Sequence, residues 1–135
     1  MTERSDNVRR VQNDAAPAPA EWFDGQVEME PVLANPEKDL RQARVHFHDG
    51  ATTNWHLHLG DQVLYFVAGK GLAQELGGKI IECEPGDIIH VADGIPHRHG
   101  ARPGEDAVHI AVTQGETIWD NDPRYDDGRS VGRSE

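Results

Sequence analysis

His56 and His58 stand one residue apart, Gln62 follows four positions after His58, and a third histidine, His97, lies far along the chain. Two imidazoles, a carboxamide and a distant imidazole are the donors with which a small β-barrel holds one divalent metal ion. The spacing is that of a strand. Side chains at i and i+2 of a strand point to one face, so His56 and His58 project together into an interior; on a helix the same two steps would rotate them roughly 200° apart. Glycines punctuate this part of the chain, at Gly50, Gly60, Gly69, Gly86 and Gly94.

The elements that must position these donors are predicted to be short strands. Alternating or apolar runs bounded by turn residues place them at Ala43–His48, Thr53–His58, Gln62–Ala68, Gly71–Leu76, Lys79–Cys83, Asp87–Val91 and Ala107–Thr113. Gly77-Gly78 suits a two-residue hairpin turn, Gly69-Lys70 is a second turn and Glu84-Pro85-Gly86-Asp87 a third. Gln26–Glu30 alternates like a further half-buried strand, Trp22 and Phe23 read as structural anchors, and a turn is expected near Asn35–Arg41. Nothing of helical period competes, so the fold class is all-β. No internal repeat is present, which argues against a propeller or solenoid.

The 135 residues suffice for one domain with its own core. Residues 1–20 are polar and end in Ala15-Ala16-Pro17-Ala18-Pro19-Ala20, the composition of a flexible arm. Residues 21–118 are expected to form the domain, and the charged stretch 119–135 a flexible tail. The net charge of −11, with no Lys/Arg cluster, argues against nucleic acid or an anionic membrane as partner. The start of the sequence carries no apolar run, so neither a signal peptide nor a membrane span is expected there, and a cytoplasmic location is the default. Cys83, the single cysteine, is flanked by Glu82 and Glu84 and reads as a packed strand thiol rather than a nucleophile.

Two strands carry further candidates. Ala43, Val45 and Phe47 share a face that would line the barrel, with Arg44, His46 and His48 pointing out. Val108, Ile110 and Val112 share one face of the last strand, while His109 shares the other with Ala111 and Thr113, and a histidine beside small residues can look into a cavity.

With these residues in place the chain resembles the cupin superfamily, small jelly-roll β-barrels. The first cupin motif, glycine, His-x-His, Glu and glycine, corresponds to Gly50, His56, His58, Gln62 and Gly69, with Gln in place of Glu. The second corresponds to Gly86, Ala92, Gly94, His97 and Ala101, with alanine in place of its proline and asparagine. Within the superfamily the chain looks most like small single-domain bacterial cupins that include the manganese-dependent hydroxynitrile lyases. Those share Trp22-Phe23-Asp24-Gly25, the Gln at position 62 and the Gly-x-x-His-x-His-Gly segment Gly94–Gly100. The resemblance covers about Trp22 to Thr113 and implies a single cupin domain with His56, His58, Gln62 and His97 as ligands of one metal ion per chain.

Such a ligand set is neutral, so a divalent ion keeps its full charge to stabilise anions, and four protein ligands on an octahedral ion leave two positions open. Mn or Fe suits that geometry best, and Zn, Ni, Co and Cu all accept imidazole. The resemblance further implies His109 as general base and Ala43 and Val45 as residues facing the substrate. His99, one strand step from His97, is placed either to support the metal ligands from behind or at the surface. Thr113 departs from the lyase-like pattern, which has Gln there, and its shorter hydroxyl puts cyanohydrin cleavage in question. His90 has no assigned partner in the sequence. Three functional readings stay open: a Lewis-acid enzyme acting on a small, partly apolar hydroxyl or carbonyl substrate, hydroxynitrile lyase-like in one version; an iron-dependent dioxygenase; and a non-catalytic small-molecule binding module. The resemblance also implies a homodimer or higher homo-oligomer, with Trp22–Met29 as a segment that subunits would exchange.

Overall fold

The computed structural model describes residues 8–11 and 13–126. Its strands are β1 (Ala16–Pro17), β2 (Phe23–Asp24), β3 (Val27–Asn35), β4 (Leu40–Phe47), β5 (Thr52–Thr53), β6 (His56–His58), β7 (Gln62–Gly69), β8 (Gly71–Glu75), β9 (Ile80–Cys83), β10 (Ile88–Val91), β11 (His97–Ala101), β12 (Ala107–Thr113) and β13 (Thr117–Trp119). One sheet runs β1-β3-β4-β12-β7-β10; the other runs β13-β6-β11-β5-β2, with β8 beside β11 and β9 beside β8. The class is all-β and the architecture the cupin jelly roll expected from the sequence. Among the described residues no helix is long and apolar enough to cross a membrane.

Strand alternation sets which side chains meet inside. Along β12, Ala107, His109, Ala111 and Thr113 are buried, while Val108, Ile110 and Val112 are only half-buried. β12 lies between β4 and β7, and its antiparallel register sets His109 level with Val45 and Phe66, and Thr113 level with Arg41 and Gln62. Polar groups needed in one place are thus delivered by three neighbouring strands. The core around them is carried by Val27, Val45, Phe47, Ala51, Ala101 and Ala107, and by Leu64, Phe66, Ala73, Cys83 and Ala111. Burying side chains the size of Phe47 and Phe66 contributes about 1.5–3 kcal/mol each.

The motif glycine Gly69 marks where the chain leaves β7 for the other sheet. It has φ of 76°, and a Cβ there would collide with the carbonyl of Asp106. The expected turn at Gly69-Lys70 is therefore a corner between sheets. Glu84–Asp87 is a turn as read, closed by the Asp87 N–H on the Glu84 carbonyl at 3.0 Å. The Gly77-Gly78 reversal is shifted: the hydrogen bond runs from Gly78 N–H to Glu75 O at 2.8 Å, with Gly77 at φ 83° inside it.

Several expectations need correction. The predicted strand Thr53–His58 is broken at Asn54-Trp55, because Asn54 bonds to Trp22 and Glu21 instead of to a ladder. β4 begins at Leu40 and β3 continues to Asn35, and β11 and β13 were not among the predicted strands. The flexible arm over residues 1–20 does not hold for its last part: Ala16 pairs with Met29, Pro17 with Glu28, and Ala18 packs on the core. The tail over 119–135 is likewise held at its start. Trp119 stacks on Trp22 at 5.3 Å, and Arg124 pairs with Glu116 at 2.8 Å and Asp122 at 2.9 Å. Residues 1–7 and 127–135 lie outside the described residues. Within the chain, Trp22–Met29 supplies β2 on β5 and the start of β3 on β4. Cys83 is a buried thiol pushed up to about 11 by burial, as a packing residue should be.

Candidate metal centre

His56 and His58 come from β6, His97 and His99 from the adjacent β11, Gln62 and Thr113 from the facing sheet, and all are buried. His97 is register partner to His56, so the two imidazoles start side by side, with ring centroids 4.3 Å apart. Local backbone carbonyls then fix their tautomers. His56 Nδ1–H donates to Asn54 O and His97 Nδ1–H to Ile95 O, each at 2.8 Å. Because a carbonyl only accepts, each ring carries its proton on Nδ1 and presents a bare Nε2.

The structure groups His56, His97 and His99 most tightly, with one nitrogen from each within 4.8 Å of the others. His58 stands slightly apart, its ring centroid 4.9 Å from His56 and 5.2 Å from His97. Its Nδ1 bonds to Thr117 Oγ1 at 2.9 Å, and its buried Nε2 has no hydrogen-bond partner among the described residues. Gln62 completes the set. Its Nε2 donates to Thr113 Oγ1 at 2.9 Å, which turns Oε1 to His97 Nε2 at 3.0 Å.

That last contact places two lone pairs face to face. A cation lying against both would satisfy the two lone pairs, and about 3.0 Å is the separation of neighbouring donors on an octahedral ion with bonds of about 2.1 Å. Burial supports the same state. It holds His56 and His99 well below the ordinary imidazole range, lowers His97, and brings His58 to about 3 and His109 to about 4, with neighbouring imidazoles adding to the effect for His56, His58 and His99. Neutral imidazoles with free nitrogens are what a transition metal needs, so the residues fit the ion.

The cavity beside these groups has a volume of about 280 Å³. Ala43, Val45, Phe47, His99, His109 and Thr113 all line it, as do His56, His58 and Gln62, whereas His97 does not. His99, expected either behind the candidate ligands or at the surface, is buried and grouped with His56 and His97. It also joins His109, Nδ1 to Nε2, at 2.9 Å, leaving His99 Nε2 and His109 Nδ1 without a partner among the described residues. Sequence reasoning missed Arg41, Thr117 and Trp119, which also line the cavity. Arg41 continues the i, i+2 series of Ala43, Val45 and Phe47, a signal that was available; its guanidinium donates to Gly115 O at 2.7 Å. His90, on the outside, pairs with Asp61 at 3.0 Å.

A jelly roll with histidines converging from adjacent strands on an apolar cavity is the architecture of a cupin. The chain belongs to that family: the family model described as Cupin domain matches residues 43–113. It is 38% identical over 109 residues to (R)-mandelonitrile lyase of Granulicella tundricola, a match covering 79% of this chain and 83% of that protein. It is 37% identical over 67 residues to acireductone dioxygenase of Gluconobacter oxydans, covering 47% of this chain and 36% of that protein. Among solved structures it is similar to a cupin-like protein from Thermotoga maritima, with a TM-score of 0.76 and 28% identity, covering 82% of this chain and 88% of that one.

Proposed function

We propose that the chain is a metal-dependent enzyme acting on a small, partly apolar substrate through a hydroxyl or carbonyl oxygen, with cyanohydrin cleavage as the reaction to test first. The observation that carries this reading is the cavity in which a buried set of neutral imidazoles meets an apolar wall of Ala43, Val45 and Phe47. The likeness to a mandelonitrile lyase supports it. His56, His58, Gln62 and His97 would hold Mn or Fe, with His99 close enough to serve as well. Bound there, the ion supplies Lewis-acid polarisation of the substrate oxygen without any protein charge to offset its own.

The chain's own groups supply the rest. Thr113 and the carbonyls of Asn54 and Ile95 orient the donors, and the apolar wall excludes water and takes the body of the substrate. His99 and His109 share one proton between them. With that proton on His109 Nε2, the bare nitrogen is His109 Nδ1, which makes His109 the base; with it on His99 Nδ1, the bare nitrogen is His99 Nε2. A proton taken at one end of the pair is therefore relayed to the other ring, so the base is the pair. Thr113 has its hydroxyl engaged by Gln62, so no group at this position extends to the substrate.

The test is turnover of (R)-mandelonitrile to benzaldehyde and cyanide by protein loaded with Mn(II), beside His109→Ala. Activity that falls about 10²-fold or more in the variant supports the reading. Absence of turnover at full metal occupancy overturns the lyase version. The partial likeness to acireductone dioxygenase favours a second reading, an iron-dependent dioxygenase, which predicts oxygen uptake by the Fe(II)-loaded protein instead.

A further inference from the structure

The chain carries a second His-x-His pair, His46-Phe47-His48, on the outer face of the β3/β4 sheet. Phe47 points inward and is fully buried, so its two neighbours are turned away from the barrel site. Their rings stack, with centroids 3.9 Å apart and planes 30° from parallel. Glu28 is the register partner of His46 across β3 and β4, and one ligand atom from each of Glu28, His46 and His48 lies within 4.8 Å of the others. Asp106, just ahead of β12 on the other side of β4, closes the cluster. Its Oδ2 stands 3.6 Å from both His46 Nε2 and His48 Nδ1.

We propose that these four side chains form a second metal site, for a zinc-class divalent ion, on the outside of the sheet. Imidazole and carboxylate donors match such an ion. The 3.6 Å separations are too long for hydrogen bonds. They are near the separation of about 3.4 Å between donors on a tetrahedral ion with bonds of about 2.1 Å. The carboxylates are already aimed. Asp106 Oδ1 accepts the Asp49 backbone N–H at 2.9 Å, which leaves Oδ2 for the histidines. His48 turns Nε2 to Glu28 Oε1 at 3.0 Å and Nδ1 to Asp106, so one carboxylate can fix its tautomer while the other shares the ion. An ion there would tie β3, β4 and the start of β12 together across the sheet.

The test is zinc stoichiometry of the full chain by equilibrium dialysis and elemental analysis, beside the exposed-face variant His46→Gln/His48→Gln and beside Asp106→Asn. Wild type is expected to hold one zinc more per chain than the double variant, and Asp106→Asn to weaken that ion about tenfold or more. Equal stoichiometry in wild type and double variant overturns the proposal. The difference reads the outer site alone, so it stands whether or not the barrel binds metal. If the double variant fails to fold, imidazole NMR of wild type decides: addition of zinc must shift the His46 and His48 resonances, and unchanged resonances overturn the site.

Discussion

Oε1 of Gln62 stands 3.0 Å from Nε2 of His97 with no proton to share between them. The His97 proton is on the other ring nitrogen, held by Ile95, and the Gln62 amide nitrogen donates to Thr113. The pair is thus set up to face a cation.

Replacing Gln62 by Glu keeps the shape and adds a negative charge. Metal affinity is expected to rise by about tenfold or more, by the scale on which ligand-sphere changes act. Turnover of any substrate activated through its oxygen should fall, because the ion's charge is partly cancelled. Chelator competition and kinetics on the same preparation read both effects.

Thr113→Val removes the acceptor that holds the Gln62 amide, leaving a buried N–H unpaired. A loss of about 1–3 kcal/mol in stability is expected from denaturant titration of the metal-free protein. A loss of metal affinity should accompany it, since the freed amide no longer presents Oε1 to the site.

Acid should unfold the metal-free chain steeply. His56, His58, His97, His99 and His109 are buried, and all have folded-state pKa values below the ordinary imidazole range. The unfolded chain therefore takes up protons first. Stability is full above about pH 6.5 and falls as pH drops below it, ceasing to fall only as the native rings protonate, about 3 for His58 and about 4 for His109. Each of the five rings adds to the slope in the same direction. Circular dichroism between pH 7 and 4 should show one cooperative transition; a protein still folded at pH 4 without metal would contradict the buried neutral cluster.

Metal removal gives the complementary result. Ligand at about 100 times its dissociation constant adds about 2.7 kcal/mol, which is roughly 10 °C in Tm for a chain of this size. EDTA should reverse the gain, and His56→Ala should show no barrel-site gain on loading.

The strands of the β4–β12–β7 sheet were legible because their faces differ: Val108, Ile110 and Val112 against His109, Ala111 and Thr113 reads directly as alternation. The His-x-His spacing likewise places His56 and His58 on one buried strand. β11 was not legible. His97, His99, Gly100 and Ala101 are buried, yet the segment offers no apolar alternation, because imidazoles take the places that hydrophobic side chains fill elsewhere. Gly100 adds to the disguise: it reads as a breaker, but a Cβ there would lie 2.5 Å from Ala51 O, so its job is close packing. Trp119 escaped for another reason. Its partner Trp22 is distant in sequence, and no local pattern shows that one ring will cover the other.

The Trp22–Trp119 stack gives the molecule a built-in optical gauge. Trp119 lies flat on Trp22 and also against His56, its ring centroid 4.5 Å from that imidazole. An indole so close to a candidate metal ligand would transmit what happens at that imidazole to its own emission, and a paramagnetic ion held on His56 would quench it. The same stack brings the two ends of the domain together at one point, so loosening either end should change the light as well.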